Sequence, residues 1–139
     1  PFLLASTLRA VIAQRLVRRL CPACRKPVPA RETPAPLLGI APDATVYVAA
    51  GCEACNGSGF RGRVGVFEGV RVDDTVRRLI NEGGDEVAIA THAFRNAPTL
   101  ADSARAMVLE GATTAEEAVR VSRRDAADPM VETVPLHGE

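Results

Sequence analysis

Tryptophan is absent from the 139 residues, tyrosine occurs once and phenylalanine four times, so aromatic side chains make up only 4% of the chain. The core must therefore be assembled from Leu, Val, Ile and Ala, on elements that each bury little area. Lysine is scarcer still. The single one, Lys26, sits in Arg25-Lys26-Pro27, whereas a P-loop closes on Gly-Lys-Ser or Gly-Lys-Thr so that the lysine reaches the nucleotide phosphates. These residues contain no Walker A motif and cannot by themselves be a P-loop ATPase. No run approaches the roughly 20 apolar residues of a membrane-spanning helix. The chain does not open on a basic stretch followed by an apolar run and a cleavage site, and we expect a soluble, cytosolic protein. Pro1-Phe2-Leu3-Leu4-Ala5, with Pro where an initiating Met would stand, reads as a fragment continuing from something upstream.

An excess of one charge is also missing: basic and acidic residues number 17 each. That balance argues against a strong global field for nucleic acid or a membrane surface. The distribution is uneven, however. Arg9, Arg15, Arg18, Arg19, Arg25, Lys26 and Arg31 precede the first nearby acid, Glu32, which predicts a local basic face.

What is present is an apolar fraction of 47%, normal for a globular protein. Leu8, Ile12, Leu16 and Leu20 recur at intervals of four behind Ser6 or Thr7, and the spacing predicts an amphipathic helix over about 7–20. Pro27, Pro29, Pro34, Pro36 and Pro42 exclude helix from most of the next stretch. Thr45-Val46-Tyr47-Val48 and the segment Val64 to Val72 have strand composition, and a β-hairpin is expected within 21–72. Beyond Asp73, start and stop signals mark helices over about 74–82, from Asp85 to about Asn96, from Thr99 to Gly111, and from Thr114 to about Arg124. Asp73, Asp74, Asp85, Asp102, Glu116 and Glu117 stand at helix starts, where carboxylates satisfy free amides. Capping explains them better than acid–base catalysis does. Residues 126–139 show no periodicity and read as a disordered tail.

The four cysteines fall in two pairs, Cys21-Pro22-Ala23-Cys24 and Cys52-Glu53-Ala54-Cys55. A tight turn in each pair can aim both sulfurs at one point, and two pairs complete a closed tetrahedral set with no position left for water. Such a site is structural. Asn56-Gly57-Ser58-Gly59 after the second pair supplies residues that tolerate positive φ, where amides must turn towards thiolate sulfur. Disulfides, free thiols and a redox dithiol compete with this reading. A cytosolic setting disfavours the first, paired spacing is unexplained by the second, and the third needs only one pair. Zn2+ is the expected ion, although iron accepts the same ligands. His92 and His137 stand far from both pairs in sequence and are read as surface or packing residues. The expected architecture is α+β: an amphipathic helix over 1–20, a small tetracysteine domain with short strands over 21–72, and a helical subdomain over 73–125.

Taken in order, Pro1-Phe2-Leu3-Leu4-Ala5-Ser6, Ala13-Gln14-Arg15-Leu16-Val17-Arg18, the first cysteine pair, Gly51 with the second pair, and Asn56 through Glu68 form a recognisable series. It continues through Val72-Asp73-Asp74, Thr99-Leu100, Gly111-Ala112-Thr113-Thr114 and Glu116-Glu117-Ala118-Val119-Arg120-Val121. This series resembles the C-terminal part of bacterial type II secretion ATPases, protein E, and of the similar type IV pilus assembly ATPases. The resemblance implies the end of a RecA-like, hexameric cytoplasmic motor, peripheral to the inner membrane through its partners. Those partners would be the ATPase core of the same protein, neighbouring subunits, and secretion or pilus platform proteins, with no nucleic acid. It implies that ATP and Mg2+ are cofactors only of an intact parent, that no catalytic residue lies here, and that Cys21, Cys24, Cys52 and Cys55 are the metal ligands. Arg63 would contact the nucleotide pocket or a neighbouring subunit, or instead form a salt bridge with Glu68 across a hairpin. Arg15 and Arg18 carry the same ambiguity. Asn96-Ala97-Pro98 departs from the Gly, apolar, basic pattern usual in the family. The alternatives are a DnaJ-like chaperone zinc module, whose Cys-x-x-Cys-x-Gly-x-Gly repeat occurs once here, and a nucleic-acid-binding zinc ribbon on the basic stretch from Arg15 to Arg25.

Overall fold

A computed structural model describes residues 2–127. The largest departure from the sequence expectations comes first along the chain. A short helix α1 (Phe2–Thr7) ends before the segment predicted as a helix over 7–20, and Ala10–Leu20 is an extended strand, β1. The apolar spacing of four explains the error, because four is a multiple of the strand period of two as well as one turn of helix. The stripe itself points outward: Ile12 is 70% exposed and Leu16 44%, whereas Val17 on the opposite face is buried. The tie is broken from outside the segment, by the antiparallel partner β4 (Phe60–Arg71), which pairs along β1 from Ala10↔Arg71 to Val17↔Val64.

The strand expected at Thr45–Val48 is present as β3, but its partner is β2 (Lys26–Pro29) rather than the strand after the second cysteine pair. The two expected strands thus belong to two separate two-stranded sheets. Pro27 and Pro29 are tolerated in β2 because it is paired on one side only. Between β2 and β3 the prolines give short 3-10 turns at Ala30–Glu32 and Ala35–Leu38.

After β4 the capping signals hold. Asp73 accepts from the Val76 amide at 2.9 Å at the start of α2 (Asp74–Asn81), and Asp85 accepts from Ala88 at 2.8 Å at the start of α3 (Glu86–Ala93). Thr99 and Asp102 form a reciprocal capping box on α4 (Leu100–Glu110). Helix α5 (Ala115–Ala127) runs three residues past its expected end, and residues 128–139, most of the expected tail, lie outside the described residues along with His137. Gly111 ends α4 at φ 75°, and a Cβ there would collide with the Arg25 guanidinium and the Tyr47 ring, so both backbone sign and space demand glycine.

Val17 and Val66 of the β1–β4 ribbon, Val46 of β3, Ala30, Ala35 and Ile40 of the proline-rich excursion, and Leu100, Ala104, Val108, Ala118 and Val121 of α4 and α5 form one buried cluster. The core therefore draws on residues from both sides of position 72. Helices α2 and α3 sit apart from it with α1, where Arg77 Nε donates to the Ala5 carbonyl at 2.8 Å. Among the described residues no helix is long and apolar enough to cross a membrane.

Candidate metal centre

The ribbon positions the cysteines. Its strands end at Leu20 and Phe60, paired with each other, and one cysteine pair lies just beyond β1 and the other just before β4. The Cys21 amide donates to the Gly59 carbonyl at 2.9 Å, tying the two turns together, and the Arg25 amide closes the first turn onto the Cys21 carbonyl at 3.1 Å. In the second turn Asn56, Gly57 and Gly59 take φ values of 54°, 78° and 82°. This left-handed run swings the Gly59 amide back to the Cys55 sulfur at 3.1 Å, as the composition of that stretch predicted.

All four sulfurs lie within 4.8 Å of one another. Cys21 to Cys52 and Cys24 to Cys55 are 3.9 Å apart, and Cys52 to Cys55 is 3.8 Å. A disulfide needs a bond of about 2.05 Å, and all four cysteines are unbridged. Four thiolates around a zinc ion at about 2.3 Å would lie about 3.8 Å apart along each edge of the tetrahedron. Those three separations match that figure, and the remaining ones stay within 4.8 Å.

Electrostatics support the same reading. Burial alone would raise the Cys55 thiol, but amides of Cys52 and Gly59 donating to the sulfur hold its pKa down at about 6. At Cys24 burial dominates and, with the other sulfurs close by, pushes the thiol up to about 11 despite the Gly51 amide at 3.3 Å. The two thiols are thus driven in opposite directions, and a metal ion among the sulfurs would favour the thiolate form. With Cys21 and Cys55 buried, the donor set suits a soft or borderline ion in a closed site.

Arg25, next to the first pair, connects the centre to the rest of the fold. Its guanidinium lies 4.4 Å from the centroid of the Tyr47 ring on β3 and donates to the Gly111 carbonyl at 2.7 Å, at the negative end of α4. Replacing Arg25→Ala is expected to cost about 1–2 kcal/mol, read as a lower urea midpoint with metal content unchanged. A midpoint equal to that of the parent chain would show the contact to be idle.

The three arginines singled out from the sequence separate. Arg18 is engaged within the fold: its amide donates to Glu117 at 2.8 Å, its side chain reaches the same carboxylate at 3.2 Å, and it stacks on Phe60 at 4.1 Å. Arg15 donates to the Gln14 carbonyl at 3.0 Å. Arg63 is exposed and lies opposite Arg18 across the ribbon. The alternative considered for it, a bridge to Glu68, is not formed. No hairpin turn separates the two residues, which lie on one strand, and Glu68 instead accepts from the Leu100 amide at 2.7 Å. His92 bonds the Asp73 carboxylate at 2.8 Å and, with the Val76 amide, holds it below its ordinary pKa.

Glu117 is the residue whose role sequence reasoning missed. Thr114 receives its amide at 3.2 Å, as capping requires, but the carboxylate turns away to Arg18 and to Arg120, the latter at 3.0 Å. Burial would raise its pKa, yet the Arg18 amide and the two guanidiniums outweigh burial and hold it low.

A family model described as "Type II/IV secretion system protein" matches residues 1–120. The type II secretion system protein E of Pseudomonas aeruginosa is 46% identical over 127 residues, covering 90% of this chain and 25% of that protein. That of Vibrio cholerae, a type II secretion system ATPase E, is 38% identical over 125 residues, covering 88% and 25%. The type IV pilus assembly ATPase PilB of Myxococcus xanthus is 38% identical over 125 residues, covering 86% and 22%. The chain spans about a quarter of the length of these relatives.

Proposed function

This chain belongs to the type II/IV secretion system protein family, and from that premise we propose that it is the metal-stapled C-terminal part of a hexameric motor driving protein secretion or pilus assembly. The observation that carries the proposal is the gathering of four sulfurs within 4.8 Å of one another inside the matched region. Cys21, Cys24, Cys52 and Cys55 would hold one Zn2+. A structural zinc supplies folding energy and performs no reaction step.

The role follows from what the metal would fix. Two turns held at the base of the ribbon give the ribbon, the β2–β3 pair and α4–α5 a set shape against which an ATPase core and a neighbouring subunit can bear. ATP and Mg2+ would bind elsewhere in a parent motor, since Lys26 is outside any P-loop context. Arg63, Arg15 and Arg18 are the residues we assign to contacts with a neighbouring subunit or nucleotide, with Arg18 also held by Glu117. The setting would be the cytoplasmic face of the inner membrane, reached through platform proteins. A DnaJ-like module accounts only for the glycines after the second pair, and a zinc ribbon only for the basic stretch, whereas the family match takes in residues 1–120.

A chimera tests the proposal: this chain replaces the corresponding quarter of the Pseudomonas aeruginosa protein E. Restored secretion is the expected result, together with no ATP hydrolysis by the 139-residue chain alone. A folded, zinc-loaded chimera that assembles but does not secrete would defeat it.

A further inference from the structure

The bulged end of the ribbon carries charge that no acidic group among the described residues compensates. Pairing between β1 and β4 slips between Arg18 and Leu20, and β4 answers with Gly62 at φ 71°. Such irregularities bend a strand and re-aim its side chains. Here they leave Arg19 and Arg61 lining one concavity of about 340 Å³ with Pro22 and Gly62, room for roughly ten waters at about 30 Å³ each. Both arginines are exposed, and neither has an acidic partner among the described residues. Arg63 follows Gly62 and lies directly opposite Arg18. Like charges facing each other across a ladder are destabilising, and among the described residues only Arg18 of this group is offset, by Glu117.

We propose that Arg19 and Arg61 form a cradle for a phosphate group, carried by a soluble phosphate ligand or by a lipid headgroup. Guanidinium forks match the oxygens of a phosphate bidentately. Two forks on one concavity can each take a pair of non-bridging oxygens from one phosphate group, which a single carboxylate does not offer. Gly62 has nothing within 4 Å of where a Cβ would stand, so the floor of the concavity is open to a ligand. None of the four cysteines lines the concavity, although Pro22 belongs to the first cysteine turn, and the proposal does not depend on the motor assignment.

The test titrates pyrophosphate into the zinc-loaded chain, with metal content measured before and after, and in parallel sediments the chain with phosphatidylglycerol or phosphatidylcholine vesicles. Pyrophosphate binding that weakens at least tenfold in Arg19→Ala/Arg61→Ala supports the cradle with a soluble ligand. Co-sedimentation with phosphatidylglycerol alone, lost in the same variant, supports it with a headgroup. Arg19→Lys/Arg61→Lys keeps both charges without the forks, and weaker binding there at unchanged circular dichroism separates fork recognition from charge and from misfolding. Binding in neither arm, binding unchanged in the alanine variant, or binding to polyglutamate but not to pyrophosphate would overturn the proposal.

Discussion

If the proposed metal centre is right, replacing Cys55→Ser is expected to abolish metal binding and release the region from Leu20 to Phe60 from its fixed shape. Cys55 is 6% exposed, accepts two backbone amides, and lies within 4 Å of both Cys24 and Cys52. Serine removes a thiolate from a closed set and leaves those amides facing a poorer acceptor. For structural zinc sites the apparent binding energy, of order 10–16 kcal/mol in zinc-finger peptides, is also folding energy, and it is as large as the net stability of an ordinary domain at about 5–15 kcal/mol. The expected readout is a fall from one zinc per chain to none. Amide exchange at Gly51, Cys52 and Gly59 should accelerate by orders of magnitude, while Val76 and Ala88, capped in the distant α2 and α3, keep their protection. Chelation of the parent chain should reproduce the pattern. A reduced, freshly purified chain that carries neither zinc nor iron yet shows protected amides at those three positions would refute the metal centre.

Glu117→Ala is expected to cost about 3 kcal/mol, the second largest effect. The carboxylate is 5% exposed and is the shared acceptor for the Arg18 amide, the Arg18 side chain and Arg120. The two guanidiniums are about half exposed and can turn to water, so most of the cost lies in the Arg18 amide, which loses a charged partner at the edge of the ribbon. Urea unfolding of zinc-saturated protein measures it. The pH dependence has a definite sign. A folded pKa held below the ordinary value of 4.5 contributes stability that is complete above the unfolded pKa and disappears as pH falls through the folded one. Glu117→Gln should therefore narrow the difference from the parent chain as pH drops below about 4.5. A gap that stays constant from neutral pH into that range would mean the carboxylate charge contributes nothing.

Some of this was legible in the residues and some was not. Capping side chains act within three positions of the amides they bind, which is why α2, α3 and α4 could be started correctly from Asp73, Asp85 and Thr99. The cysteine pairs were legible for the same reason, since each turn is local and its left-handed glycines are named in the sequence. The identity of β1 was not. Its spacing of four satisfies two periodicities, and the partner that decides between them lies as far away as Arg71. Glu117 was misassigned because its helix-start position explained it too well, while its real partner, Arg18, sits 99 residues away. Long-range contacts of this kind leave no local signature.

The position of the cysteines at the base of the ribbon also bears on how the chain finds its fold. Pairing Ala10 with Arg71 from a free coil means closing a very long loop for little immediate gain, the situation that makes non-local strands slow to form. Cys21 and Cys52 are 31 positions apart. Once a metal has gathered them, Leu20 and Phe60 are already neighbours, and each further rung, Val17 to Val64 and then Arg15 to Val66, closes only a short loop. A metal bound there would act before it served as a staple: it would start the zipper.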